Sequence, residues 1–218
     1  MSLQELQEKL LAWGTAEPRK DWLLAARAQH FGRYGEPHEE DMSFESRMNG
    51  MLDAYLYDFH PEGGEERTIE RFLASQGALL SPEELSAYRD LARNVHAVFE
   101  VRHIKPGEIR LRELFGGGDY DVAERRQLVG LAKGDLIEAR LLPFEGKLVF
   151  SGSFIYHPQA ARKRVLAEVK RLKKGAAKDG HAIDVPAFLA RLSRMAFKLE
   201  RYRNVKLESI YDFEAPTR

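Results

Sequence analysis

The chain predicts an α+β fold in three parts: an acidic helical region over 1–95, a small five-stranded antiparallel β-barrel of SH3-like or OB-like kind over 96–157, and basic C-terminal helices over 158–218. Three observations predict it. Apolar residues recur at three- and four-residue spacing as far as residue 95, the spacing shifts to two after His96, and the helical period returns after His157-Pro158.

The helical region opens with Leu3, Leu6, Leu10 and Trp13 on one face, closed near Gly14. Pro18 suits the first turn of a second helix, whose face of Trp22, Leu23, Ala26 and His30 runs to the break between Gly32 and Gly35. Ser43 is placed to cap a third, with Phe44, Met48, Met51, Leu52, Tyr55, Leu56 and Phe59 forming an aromatic-rich core face. Ile69, Phe72 and Leu73 mark a shorter helix. Ser81-Pro82-Glu83-Glu84 then combines an N-cap, a proline at the first helical position and a capping-box glutamate, predicting a helix over 82–95.

Beyond His96, Val98, Glu100 and Arg102 alternate with Phe99, Val101 and His103, and Pro106-Gly107 supplies a turn. Further strands are predicted over 109–114, 120–123, 136–142 and 148–156, separated by Gly116-Gly117-Gly118, Lys133-Gly134-Asp135 and Phe144-Glu145-Gly146. Five short strands in about 60 residues favour closure, because a closed sheet exposes no edge. After Pro158 a basic helix carries Ala161, Val165, Val169 and Leu172 and stops at Gly175; 175–181 reads as a loop. Asp184 caps a last helix through Phe188, Leu189, Leu192, Met195, Leu199 and Tyr202, and no element is assigned from 206 onward.

Net charge is zero, but it is unevenly distributed. Residues 1–95 hold 10 Lys/Arg against 18 Asp/Glu, 96–156 hold 9 of each, 157–205 hold 13 against 4, and 206–218 hold 2 against 3. The acidic and basic parts either neutralise each other within the fold or present a docking surface. Zero cysteines exclude disulfides, thiolate zinc sites and cysteine nucleophiles, and they fit a reducing compartment, so the cytoplasm is the expected location. No leader or apolar run of membrane-spanning length is read in the chain.

Two stretches carry a resemblance. The run Glu39-Glu40-Asp41-Met42-Ser43-Phe44-Glu45-Ser46-Arg47-Met48 leads to Leu52-Asp53-Ala54-Tyr55-Leu56-Tyr57-Asp58, and Leu131-Ala132-Lys133-Gly134-Asp135-Leu136-Ile137-Glu138-Ala139-Arg140-Leu141 follows later. Together they resemble an uncharacterised bacterial family that pairs such a helical region with a β module, some relatives of which carry a SEC-C zinc motif. The resemblance covers about 25–160. It implies the domain layout and no activity, and the cysteine-free chain lacks the zinc motif.

Motifs for chemistry are few. Gly116-Gly117-Gly118-Asp119 lacks the Lys-Ser or Lys-Thr of a phosphate loop and reads as a hairpin turn. His38-Glu39-Glu40-Asp41 lacks the second histidine of a helical zinc pair and reads as a solvated loop. Ser151-Gly152-Ser153 falls inside a strand, where the glycine permits close packing, and Asp119 with Asp121 reads as a turn and a strand edge rather than an acid–base pair. His30 reads as a boundary residue with one ring nitrogen bonded locally.

The expectation is therefore a cytoplasmic adaptor or regulatory protein without catalytic activity, metal, cofactor or membrane contact. Its partner would be a protein or a second copy of the chain, met by Arg162, Lys163, Arg164, Lys170, Arg171, Lys173 and Lys174. The alternative is a nucleic-acid-binding protein that uses the same basic helix, 159–174, beside the barrel.

Overall fold

The computed structural model describes residues 1–124, 130–202 and 204–215. Helices α1 (Leu3–Thr15), α2 (Lys20–Tyr34), α3 (Phe44–Tyr57), α4 (Thr68–Gln76) and α5 (Pro82–Leu91) precede strands β1 (Val95–Lys105), β2 (Gly107–Glu113), β3 (Asp119–Glu124), β4 (Leu136–Phe144) and β5 (Lys147–His157). Helices α6 (Arg162–Asp179), α7 (Val185–Arg201) and α8 (Leu207–Ile210) follow. The α+β class and the closed five-stranded barrel agree with the sequence.

Two caps act as read: Ser81 and Glu84 form a reciprocal capping box on α5, and the Asp184 side chain accepts from the Ala187 amide to cap α7. Ser2 and Glu5 form a further box on α1 that was not predicted from the sequence. Elsewhere a competing interaction wins. Ser43 does not cap α3; its amide and hydroxyl donate to the Glu200 carboxylate at 3.0 and 2.6 Å, tying the start of α3 to α7. Pro18 lies ahead of α2 rather than in its first turn. The helix expected to stop at Gly175 continues to Asp179 and ends on Gly180 at φ +69°, so the predicted loop is mostly helix.

The strands close in the order β1-β2-β3-β5-β4, with β1 shared between β2 and β4. Of the two barrel kinds expected, this is the Greek-key order of an OB-type barrel. The barrel is not purely antiparallel, because β3 and β5 meet in parallel at Val122 and Leu148. The chain reaches β4 before β5, so the strand that completes closure arrives beside β3 running the same way.

Alternation decides where each strand residue goes. In β4, Ile137, Ala139 and Leu141 point into the barrel with Phe99, Val101, Leu111 and Phe150, and the opposite face lies under the helices. Leu142 on that face joins the core of α1 to α5 with Leu10, Tyr55, Phe72 and Tyr88. Leu136 joins the core of α6 to α8 with Val165, Val169, Leu192 and Tyr211. Both faces of β4 are thus dry, and all of its first seven residues are buried.

The edge of β5 beyond its bridge to β3 is covered by α3. The Ser46 hydroxyl accepts from the Phe154 amide at 2.9 Å and donates to the Phe154 carbonyl at 2.6 Å, while Asn49 donates to the Gly152 carbonyl at 3.3 Å. Two glycines allow the approach: a Cβ on Gly50 would stand 2.9 Å from Ser153 Oγ, and one on Gly152 would stand 3.1 Å from Asn49 Nδ2. Replacing Ser46→Ala deprives both the amide and the carbonyl of Phe154 of their one side-chain partner, and unsatisfied buried polar groups cost about 1–3 kcal/mol each. A urea denaturation midpoint well below wild type is expected; an unchanged midpoint would mean the edge does not need the serine.

Candidate functional site

The seven predicted contact residues divide on α6. Arg162 turns toward the barrel, where its guanidinium donates to the Gly134 carbonyl at 2.9 Å and to Glu100 at 2.6 Å. Arg171 forms a forked pair with Glu168 at 2.6 and 2.7 Å. Lys163, Arg164, Lys170, Lys173 and Lys174 are exposed and make no ion pair among the described residues. At 100° per residue, Lys163, Lys170 and Lys174 fall in one narrow row, and the extension of the helix past Gly175 adds Lys178 to it, all four within about 80° of arc. Val165, Val169 and Leu172 lie on the other side of the helix against α7 and α8.

A second cluster, whose Asp53, Asp58, Glu138 and Arg140 the sequence marks only as part of the two stretches that carry the resemblance and not as a site, lies under the helices on the outward face of β4. Arg140, with only 3% of its side chain exposed, makes a forked pair with Asp58 at the end of α3 and donates to Asn94 ahead of β1. Its guanidinium also lies 5.5 Å from the centre of the Tyr57 ring. Two residues earlier, Glu138 is equally buried, meets His96 Nε2 at 3.0 Å and accepts from the Ser193 hydroxyl of α7. Asp53 of α3 completes the cluster; burial pushes its carboxyl up against the opposing pull of Arg140. Asp58, about half exposed, goes the other way: partial desolvation raises its pKa, but the charge of Arg140 and its hydrogen bonds outweigh that and the net direction is down.

A small cavity among Asp53, Glu138 and Arg140 is roofed by His30 and Tyr34 of α2, whose rings stack at 4.5 Å. His30 is thus a packed residue facing the barrel rather than a locally bonded one, and burial, followed by the nearby His96, lowers its pKa to about 4. The order of groups here is wrong for a hydroxyl nucleophile. Glu138 stands between Ser193 and His96, so no imidazole adjoins the hydroxyl, which is itself fully buried. No group of three metal-ligating side chains occurs among the described residues.

The remaining motifs resolve individually. Gly116-Gly117-Gly118 is a turn between β2 and β3, with Gly116 and Gly118 at φ +114° and +100° and the Gly117 amide donating to Glu113 at 2.6 Å. Asp119 and Asp121 lie opposite Arg112 and Arg110 across the β2–β3 pairing, each in a forked ion pair that lowers the carboxyl pKa. The reading of 38–41 as a solvated loop fails at Asp41. Its carboxylate accepts from Arg201 at 2.6 Å, Arg47 at 3.0 Å and the His38 amide at 2.9 Å, and these donors, Arg201 first, hold its pKa at about 2.

The profile of a family of unknown function matches residues 23–196. The chain belongs to family DUF7986. The DUF7986 match begins in α2 and ends in α7, and so includes His30, Asp53, Asp58, Glu138, Arg140, Ser193 and all of α6. No curated protein and no solved structure matches the chain.

Two outcomes are expected of the cluster. Arg140→Leu removes the donor that Asp58 and Asn94 share and should lower stability by about 1–3 kcal/mol, less than for a fully buried pair because Asp58 is half exposed. Arg140→Lys should recover little, since one ammonium cannot serve Asp58 in a fork and Asn94 together; chemical denaturation of both variants checks this. The second outcome concerns pH. His30 and the enclosed His157 both have pKa values lowered to about 4 from 6.5, chiefly by burial. The unfolded chain therefore binds protons that the fold refuses. Stability should be full above pH 6.5 and fall as pH drops toward 4, by on the order of 3 kcal/mol for His157 alone. Asp41 adds a further loss between 3.8 and about 2. Denaturation curves from pH 7 to 4 test this, and a flat profile would contradict it.

Proposed function

We propose that this protein is a non-catalytic binding protein of the cytoplasm that docks an acidic protein surface through α6. The observation that carries the reading is the row of Lys163, Lys170, Lys174 and Lys178 on the side of α6 away from Val165 and Val169. With Arg164 and Lys173 beside it, the row gives α6 a cationic face about 25 Å long. The closed barrel anchors that face through Arg162.

Two features favour a protein partner over nucleic acid. The large exposed apolar side chains among the described residues are Met1, Leu24, Met42, Leu79, Ile104, Tyr156, Tyr202 and Val205, and none lies on α6, so the row offers no platform on which bases would stack. The face of β2 and β3, which OB-type barrels use for oligonucleotides, carries its arginines in forked pairs with Asp119 and Asp121. Lysines in a row attract charge without reading shape, which suits a complementary acidic surface.

The experiment compares an acidic polypeptide, poly-glutamate, with single- and double-stranded DNA of matched charge, each titrated into the full chain at 50 and 200 mM salt. Poly-glutamate should bind at 50 mM salt, and the triple charge reversal Lys163→Glu, Lys170→Glu, Lys174→Glu should weaken that binding at least tenfold. DNA bound at micromolar Kd with a steep salt slope, and more tightly than poly-glutamate, would transfer the reading to nucleic acid. Sedimentation of the same two proteins detects a second copy as the partner; a wild-type dimer that the reversal dissociates would make the acidic surface the chain's own.

A further inference from the structure

Six elements converge on the cavity beneath α2: α2 supplies His30 and Tyr34, α3 supplies Gly50 and Asp53, β1 supplies His96, β4 supplies Glu138 and Arg140, β5 supplies Ser153, and α7 supplies Phe197. Two polar atoms of the lining residues have no protein partner. Asp53 Oδ2 is an acceptor on a residue 6% exposed, and Arg140 Nε is a donor on a residue 3% exposed. Both residues use their remaining groups elsewhere: Asp53 receives Ser151, and the terminal nitrogens of Arg140 serve Asp58 and Asn94. A buried polar atom left so is expensive, and the few that remain in folded proteins are met by ordered water.

We infer that this cavity is a binding site for a single water molecule, which accepts from Arg140 Nε and donates to Asp53 Oδ2. Size and polarity select the ligand independently. The space open to the centre of a water-sized sphere is about 20 Å³, enough for one water and too little for an organic molecule. A cation has no lone pair to offer Arg140, and an anion would face Asp53 and Glu138; only a molecule that both accepts and donates satisfies the pair. Gly50 and Ser153 both line the cavity, and a methyl group on residue 50 would stand 2.9 Å from Ser153 Oγ and crowd that wall. The water joins α3 to β4 at a point where no direct bond does so, and it makes Arg140 a fully satisfied cation on all of its nitrogens.

Oxygen-17 magnetic relaxation dispersion on the full chain counts long-lived internal waters. Wild type should show one more such water than Gly50→Ala, which narrows the cavity, and one more than Asp53→Leu, which removes the acceptor. Equal amplitudes in wild type and both folded variants would overturn the proposal. Should a variant fail to fold, a crystal structure of wild type at about 1.5 Å decides alone. Density for one atom within hydrogen-bond distance of both Arg140 Nε and Asp53 Oδ2 supports the site; a direct bond between the two, or no density, overturns it.

Discussion

Much of this fold depends on one guanidinium that water does not reach. Arg140 cannot be buried unless Asp58, Asn94 and Asp53 are brought to it, because an isolated charge in a dry interior costs far more than the fold could offset. Those three groups come from the end of α3, its middle, and the junction of α5 with β1. Meeting the demand of one side chain therefore fixes the height of α3 against the barrel and the path of the chain into β1. Glu138, two residues earlier on the same face, does the same for α7 through Ser193 and for β1 through His96. The apolar cores supply the bulk of the driving force, and the charged pair supplies the register.

The charges of the chain also divide into those paired within the molecule and those left to solvent. The arginines and carboxylates that form forked pairs are committed within the molecule: Arg140 to Asp58, Arg201 to Asp41, Arg171 to Glu168, and Arg110 and Arg112 to their aspartates. The cations of α6 that make no ion pair among the described residues are mostly lysines. Guanidinium suits fixed, planar pairing, and the strongly hydrated ammonium suits a solvated surface. The even overall charge conceals two populations of basic residue, one paired internally and one facing solvent.

Most of the fold was legible in the sequence because its signals are local. The change of period at His96, the glycine turns and the capping box each depend on residues within a few positions of one another. What escaped was set by distant partners. Ser43 has the composition of a cap, but Glu200, far along the chain, binds it first. Asp41 looked solvated because the arginines that enclose it lie partly on α7. Gly175 looked like a stop, although a glycine inside a helix costs only about 1 kcal/mol and the flanking residues carry α6 through it. The buried cluster did leave a trace. Leu136-Ile137-Glu138-Ala139-Arg140-Leu141-Leu142 places two charges at alternate positions of an otherwise apolar strand, which marks a strand dry on both faces with charges that must be answered from outside it. The trace could locate the residues but not their partners, because tertiary contact alone decides those.

The seal that α3 places along β5 bears on how the protein survives its own synthesis. A barrel strand with a bare flank invites a neighbouring polypeptide to extend the sheet, and a serine inserted where another backbone would bond denies it that opportunity. Since α3 precedes β5 in the chain, the guard is made before the strand it protects leaves the ribosome. The hazard of runaway assembly is thereby confined to the interval before helix and strand meet.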